Sequence, residues 1–215
     1  MPASFLTLPR ELRDKIYKLC LLIEGPVRPL GGSGYGWDLS PGLLRVNKII
    51  YNGARLFLYQ NRFDFTMTLA FCISRFLEKI GRDNADLIRH IYVGFPIFCN
   101  LELGNITFKD QNDDEILPTI QNGCANITTL STSRYITYPI HDLFNSLDDP
   151  EIVAEALAVI DTHFRDFFPS LKDIIIEVYE NDPSDFMRKQ IENYGWIIVT
   201  KDPIRDWNSD VSLDE

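Results

Sequence analysis

The sequence lacks most of the marks of a membrane protein, a metalloprotein or a nucleotide enzyme. No apolar run approaches the ~18 residues a bilayer crossing requires. The best, Met67 to Ile73, is cut short by Arg75, and no membrane association is expected. No basic region followed by an apolar segment opens the chain. A signal peptide is therefore not expected, and the expected location is intracellular, cytoplasmic or nuclear. Cysteine is scarce and scattered: Cys20, Cys72, Cys99 and Cys124 never sit at metal-ligand spacing. They read as buried thiols in a reducing compartment. Without secretion, the glycosylation patterns at Asn105 and Asn126 carry no weight. Positive charge is outnumbered, 21 Lys and Arg against 31 Asp and Glu, for a net charge of −10. Nucleic-acid binding needs clustered cations against phosphates, so nucleic acid is not an expected partner.

Motifs for chemistry are equally thin. The Gly31–Gly36 stretch contains neither G-x-G-x-x-G nor G-x-x-x-x-G-K, and no strand precedes it. It reads as a loop, with Tyr35 and Trp37 available to a partner. Ser33 lies outside any G-x-S-x-G elbow. The three histidines, His90, His141 and His163, make no H-E-x-x-H. The acidic runs Asp113-Asp114-Glu115 and Asp148-Asp149 precede helical patterns, where carboxylates favour the positive end of a helix dipole. No cofactor and no metal are expected.

What is present is globular: 45% hydrophobic and 12% aromatic residues. A chain of 215 residues is long enough for one good core or two small ones. The charge is unevenly spread. Residues 1–62 hold 9 Lys and Arg against 4 Asp and Glu, hence +5; residues 63–215 hold 12 against 27, hence −15. A basic head on an acidic body suits an acidic partner and speeds its approach.

The chain opens on Phe5 to Leu22. Pro9 suits a first helical turn. Leu12, Ile16, Leu19 and Ile23 follow at spacings of four, three and four, which makes one stripe of a helix. Gly25 and Pro26 stop it. Either the stripe covers the protein's own core or it is kept for another protein. A partner helix is expected after Ser40-Pro41, with Leu43, Val46, Ile50, Ala54 and Phe57 as its stripe. Phe63, Phe65 and Met67 then alternate with Asp64 and Thr66, as in a short strand.

Two separated motifs carry a family resemblance. The first is Leu8-Pro9-x-Glu11-Leu12 with Ile16-Tyr17. The second is Leu43-Leu44-x-Val46-Asn47-Lys48, with Tyr51, Ala54, Leu58-Tyr59 and Asn61-x-Phe63. Residues 1–65 resemble the F-box-like domain of a large class of fungal proteins. The resemblance implies docking on the Skp-type adaptor of cullin–RING ubiquitin ligases. The partner-binding residues it implies are Leu8, Pro9, Leu12, Ile16, Leu19, Leu44, Val46, Lys48 and Ile49. This chain departs from an ordinary F-box at Gly25 to Ser40, a long Gly- and Pro-rich loop where a short helix is usual.

Beyond the head, Leu69 to Ile80 reads as a helix with Leu69, Cys72, Ile73, Phe76, Leu77 and Ile80 inward, ended by Gly81. Four strand-like segments share an apolar-x-x-apolar-x-(Val/Ile/Thr) form, starting at Ile88, Ile127, Leu171 and Tyr194. Helical patterns over Asp113–Cys124, Asp149–Phe168 and Ser184–Tyr194 separate the last three from each other and from the first. Leu101–Phe108 reads as a hairpin on a Gly-Asn turn. Alternating strands and helices argue for parallel strands with helical crossovers. FPSLKDIIIEV resembles a leucine-rich repeat, but the spacings of 39 and 44 residues exceed a regular repeat.

The expected fold is α+β or α/β: an N-terminal helical F-box-like module (1–65) packed on an irregular, mostly parallel αβ repeat layer (66–205), then a loose acidic tail (206–215). The expected function is non-catalytic. The chain would be a substrate receptor of an SCF-type ligase, bound to the adaptor through its N-terminal helices and to a target protein through its body. The alternative is a single-domain F-box-like protein that does not bind the adaptor. A third reading is a small enzyme whose site the fold assembles around a histidine.

Overall fold

Short strands alternating with amphipathic helices set the architecture. The computed structural model describes residues 4–29, 39–110, 115–133, 143–144, 146–147, 149–179 and 184–201. Tyr35, Trp37, Asp113, Asp114, His141, Asp148 and the acidic tail lie outside them.

The helices are α1 (Arg10–Leu21), α2 (Lys48–Leu58), α3 (Ala70–Ile80), the short α4 (Arg82–Ala85), α5 (Ile116–Gly123), α6 (Pro150–Phe167) and α7 (Asp185–Asn193). The strands are β1 (Phe63–Asp64), β2 (His90–Tyr92), β3 (Ile97–Glu102), β4 (Asn105–Lys109), β5 (Thr129–Thr132), β6 (Asp173–Tyr179) and β7 (Ile197–Lys201). Five of the strands form one sheet in the order β1-β2-β5-β6-β7, and every pairing in it is parallel. The mixed, mostly parallel architecture expected from the alternating pattern is therefore present. Strand order follows chain order, so right-handed crossovers stack the helices on one face. Their packing agrees: α3 lies against α5, α5 against α6, and α6 against α7.

Strand alternation divides the sheet into two faces. Ile91, Leu130, Ile174, Ile176 and Val178 point to the helices and are buried. They meet Ile73 and Leu77 of α3, Ile120 of α5, and Val153, Leu157, Ile160 and Phe164 of α6 in one continuous core. Each such side chain contributes about 1.5–3 kcal/mol by leaving water. Asp149 caps α6 by accepting from the Glu151 N–H at 2.9 Å, with Pro150 at the first position. Ser184 caps α7 through the Met187 N–H. Gly81 ends α3 at φ 79°. The β3–β4 hairpin turns on Leu103-Gly104, with Gly104 at φ 76°; Asn105 is already the first strand residue.

Three local expectations change. The stretch from Leu43 to Phe57 is not one helix. A 3-10 turn over Pro41–Arg45 stops, and α2 starts afresh because the Asn47 side chain accepts from the Ile50 N–H at 2.9 Å. The strand at Phe63 lasts two residues. The buried Asp64 carboxylate takes the Thr66 N–H at 2.9 Å and the Arg28 guanidinium at 2.9 Å. That turn breaks the alternation, and Met67 faces outward, 75% exposed. Leu69 sits at the N-cap of α3 and is exposed, not inward.

The head has its own small apolar cluster of Tyr17, Leu21, Ile50 and Ala54. Polar side chains brace it internally and join it to α4. Asn61 donates to the carbonyls of Leu21 and Leu58 and accepts from the Ile23 N–H. Asn84 of α4 donates to the Tyr51 hydroxyl and accepts from Arg55 of α2. Val27 forms a parallel bridge to Phe63.

Candidate functional site

The geometry of the head follows from which face of α1 is buried. Tyr17 and Leu21, four residues apart, turn toward Ile50 and Ala54 of α2. The Tyr17 ring packs between Phe5 and Phe57, each centroid 5.7 Å away. It lies so close to Gly53 that a Cβ there would stand 3.0 Å from the ring. Burial raises the Tyr17 pKa.

The Leu12–Ile16–Leu19–Ile23 stripe therefore falls on the other side of the helix. Leu19 is two positions from both Tyr17 and Leu21, about 200° around the axis. It is 83% exposed, and Leu12 is 45% exposed, while Leu21 is fully buried. Ile16 is half-buried, and Ile23, beyond the helix end, packs against the main core. Leu12 and Leu19 of the stripe are thus left at the surface, while Tyr17 and Leu21 form the face that α2 covers. The signal for the buried face was Tyr17 with Leu21, framed by Phe5 and Phe57.

The other expected partner-binding residues divide in the same way. Val46 is 60% and Ile49 61% exposed, and Pro9 and Lys48 are also on the surface. Leu8 and Leu44 are half-buried, and Leu44 packs against the head cluster. Ile49, Gly53 and Leu56 fall on one face of α2 at spacings of four and three. Because Gly53 meets Tyr17 of α1, the exposed Ile49 and Leu56 border the α1–α2 seam. The sequence pattern did not single out Leu56.

A second surface is the sheet face opposite the helices. Tyr92 and Ser131 on it are buried, while His90, Asp173, Ile175 and Glu177 are partly exposed. Register places His90 and Tyr92 of β2 beside Thr129 and Ser131 of β5, and those beside Asp173 and Ile175 of β6, with Glu177 two residues further along β6. His90 Nε2 lies 2.7 Å from Ser131 Oγ. The Tyr92 hydroxyl donates to Glu177 at 2.8 Å. The His90 and Tyr92 rings stack with centroids 5.5 Å apart. Burial, then the nearby Arg62 charge, lowers the His90 pKa to about 4, with Asp173 opposing. Burial, then the Glu177 charge and hydrogen bond, pushes the Tyr92 pKa strongly up.

The groups with potential for catalysis are separated. The His90–Ser131 pair has a histidine in reach of a hydroxyl, but Ser131 is fully buried in mid-strand, where an incoming carbonyl has no approach. His163 of α6 contacts Asp110 at 2.9 Å, in a setting of Phe108, Phe164 and Phe167 rings, far along the chain from either. This pair pins the β3–β4 hairpin to α6, with help from Glu155, which accepts from the Gly104 N–H at 2.9 Å. Burial raises the Cys124 thiol to about 12, which removes thiolate character at neutral pH. Among the described residues no group of three His, Cys, Asp or Glu side chains is arranged to hold a metal, and no helix is long and apolar enough to cross a membrane.

Comparison with family models, with curated proteins and with solved structures finds no match to this chain.

Proposed function

We propose that this chain is a non-catalytic interaction protein whose N-terminal helices dock an acidic Skp-type adaptor, making it a substrate receptor of an SCF-type cullin–RING ubiquitin ligase. One observation carries the reading: the apolar stripe of α1 lies on the far side from the helix's own core, with Leu12 and Leu19 exposed. An amphipathic helix normally turns its apolar stripe inward. Here two apolar faces exist, one spent on α2 and one left at the surface. Exposed Val46 and Ile49 extend the apolar area on the next element. Residues 1–62 carry a net charge of +5, which favours an acidic partner.

The mechanism is proximity. The head holds the chain on the ligase while the body holds a target, so the target's effective concentration at the transfer machinery rises without new chemistry. The sheet face opposite the core, with the partly exposed Asp173 and Glu177 on β6, is the surface the body offers to that target.

A second reading keeps the F-box-like head and drops the adaptor. It is favoured by the Asn84 hydrogen bonds, which join α4 of the body to Tyr51 and Arg55 of the head and would serve a single compact unit equally well.

The test is calorimetric titration of the purified protein with a purified Skp-type adaptor. A Leu12→Asp/Leu19→Asp variant with an unchanged thermal transition serves as comparison. Saturable binding that the variant loses supports adaptor docking. A folded wild type that gives no heat at ~10 μM of each protein, short of the ~8 kcal/mol that micromolar affinity represents, rejects it in favour of the second reading.

A further inference from the structure

A cleft of about 920 Å³ opens between the head and α3. Its volume falls in the range of small-molecule sites, ~300–1,000 Å³. The buried rings of Tyr59 and Phe63 form part of its lining, with Leu58 and Phe76 beside them. Phe71, 66% exposed, stands at its edge. Leu44 and Pro41 line it from the 3-10 turn.

The charge of the lining runs against that of the chain. Net charge is −10, yet the described lining includes Arg45, Arg75 and Lys79 and no carboxylate. None of the three makes an ion pair among the described residues. Arg75 and Lys79 are four apart on α3, so two like charges share one helix face, an arrangement that opposes helix stability unless an anion sits between them. A further donor is present. The Tyr51 hydroxyl, which accepts from Asn84, lines the same space, and its own proton has no acceptor among the described residues.

We propose that this cleft binds an amphiphilic organic anion: an apolar chain or ring seated on the Tyr59–Phe63–Phe76 wall, with its carboxylate held by Arg75 and Lys79. Aromatic walls supply the apolar contact, and the convergent cations fix the orientation. The cleft borders the proposed adaptor surface and shares Leu44 with it, while Leu12, Leu19, Val46 and Ile49 do not line it.

The probe is decanoate, titrated calorimetrically into the full chain beside acetate and the neutral alcohol of the same length. The expected result is saturable binding of decanoate, weaker binding of the alcohol and none of acetate. Arg75→Glu/Lys79→Glu changes two exposed positions and is expected to keep the fold and weaken decanoate at least about tenfold, one factor of ten in Kd. An independent readout is alkylation of Cys72, which lines the cleft, against exposed Cys99 as internal standard. Decanoate is expected to slow Cys72 and leave Cys99 unchanged. Absence of saturable binding at ~1 mM, the weak end of specific recognition, overturns the proposal. So does binding that ignores the charge reversal, or an acidic amphipathic peptide that protects Cys72 where decanoate does not.

Discussion

Replacing Asn61 with alanine tests how the head is held. The side chain is 3% exposed. Its amide donates to the Leu21 carbonyl at 2.6 Å and the Leu58 carbonyl at 2.8 Å, and its oxygen accepts from the Ile23 N–H at 3.0 Å. One residue thus closes the end of α1 and the end of α2 together. Truncation strands the Leu21 carbonyl and the Ile23 N–H. The Leu58 carbonyl keeps a weaker partner, the Asn61 N–H at 3.4 Å. A net hydrogen bond is worth about 1 kcal/mol, and each stranded buried group costs about 1–3. The two stranded groups together cost about 2–6 kcal/mol, a large share of the ~5–15 kcal/mol that holds a typical domain. For a chain of this length that lowers Tm by roughly 4–24 °C. Urea denaturation followed by circular dichroism gives the free energy, and calorimetry gives Tm. Asn61→Asp is expected to be worse at neutral pH, because it keeps the acceptor for Ile23 but turns a carboxylate oxygen toward two carbonyls. A loss below ~0.5 kcal/mol for Asn61→Ala, the range of ordinary surface substitutions, would refute this account of the junction.

The two faces of α1 differ sharply in what they tolerate: Leu21→Ala is expected to cost about 2–5 kcal/mol and Leu19→Ala less than ~0.5, both read from urea midpoints. Gly53→Val pushes a branched side chain into the Tyr17 ring, and about 1–3 kcal/mol of overpacking is expected, with the Tyr17 environment reporting by near-ultraviolet circular dichroism. The His90 pKa is lowered to about 4 in the folded protein, so between there and its ordinary 6.5 the unfolded chain binds the extra proton. Its stabilising contribution is then complete above pH ~6.5 and lost as pH falls toward 4; urea midpoints across that window should fall, and His90→Gln should flatten the fall.

Periodicity made the body legible. In β6 the buried Ile174, Ile176 and Val178 alternate with Ile175 and Glu177, and α6 carries a full apolar stripe between Pro150 and Pro169, so both elements appear where the pattern puts them. The parallel pairing followed from the alternation of strands with helices. What period alone left ambiguous was α1. That helix is apolar at Leu12, Ile16 and Leu19 and also at Tyr17 and Leu21, and no single-helix pattern says which set α2 will cover. The choice falls to the fit of the Tyr17 ring against Gly53, a contact between residues 36 apart in the chain.

Polar groups at special positions were the other blind spot. Asn47 restarts a helix and Asp64 ends a strand after two residues, each by taking a backbone N–H two or three residues on. Such side-chain-to-backbone bonds compete with regular structure and leave no periodic trace. The grouping of Arg45 with Arg75 and Lys79 was invisible for a different reason: Arg45 is 30 residues from Arg75 in the chain, and the two sides share only the lining of the cleft.

Hydrogen–deuterium exchange of the chain with and without a Skp-type adaptor locates the docking face directly. The account predicts slowed exchange confined to peptides covering 8–22 and 44–58, with β6 and β7 unchanged. Protection of 173–179 and 197–201 without protection of the head, or no change anywhere at saturating adaptor, would contradict it.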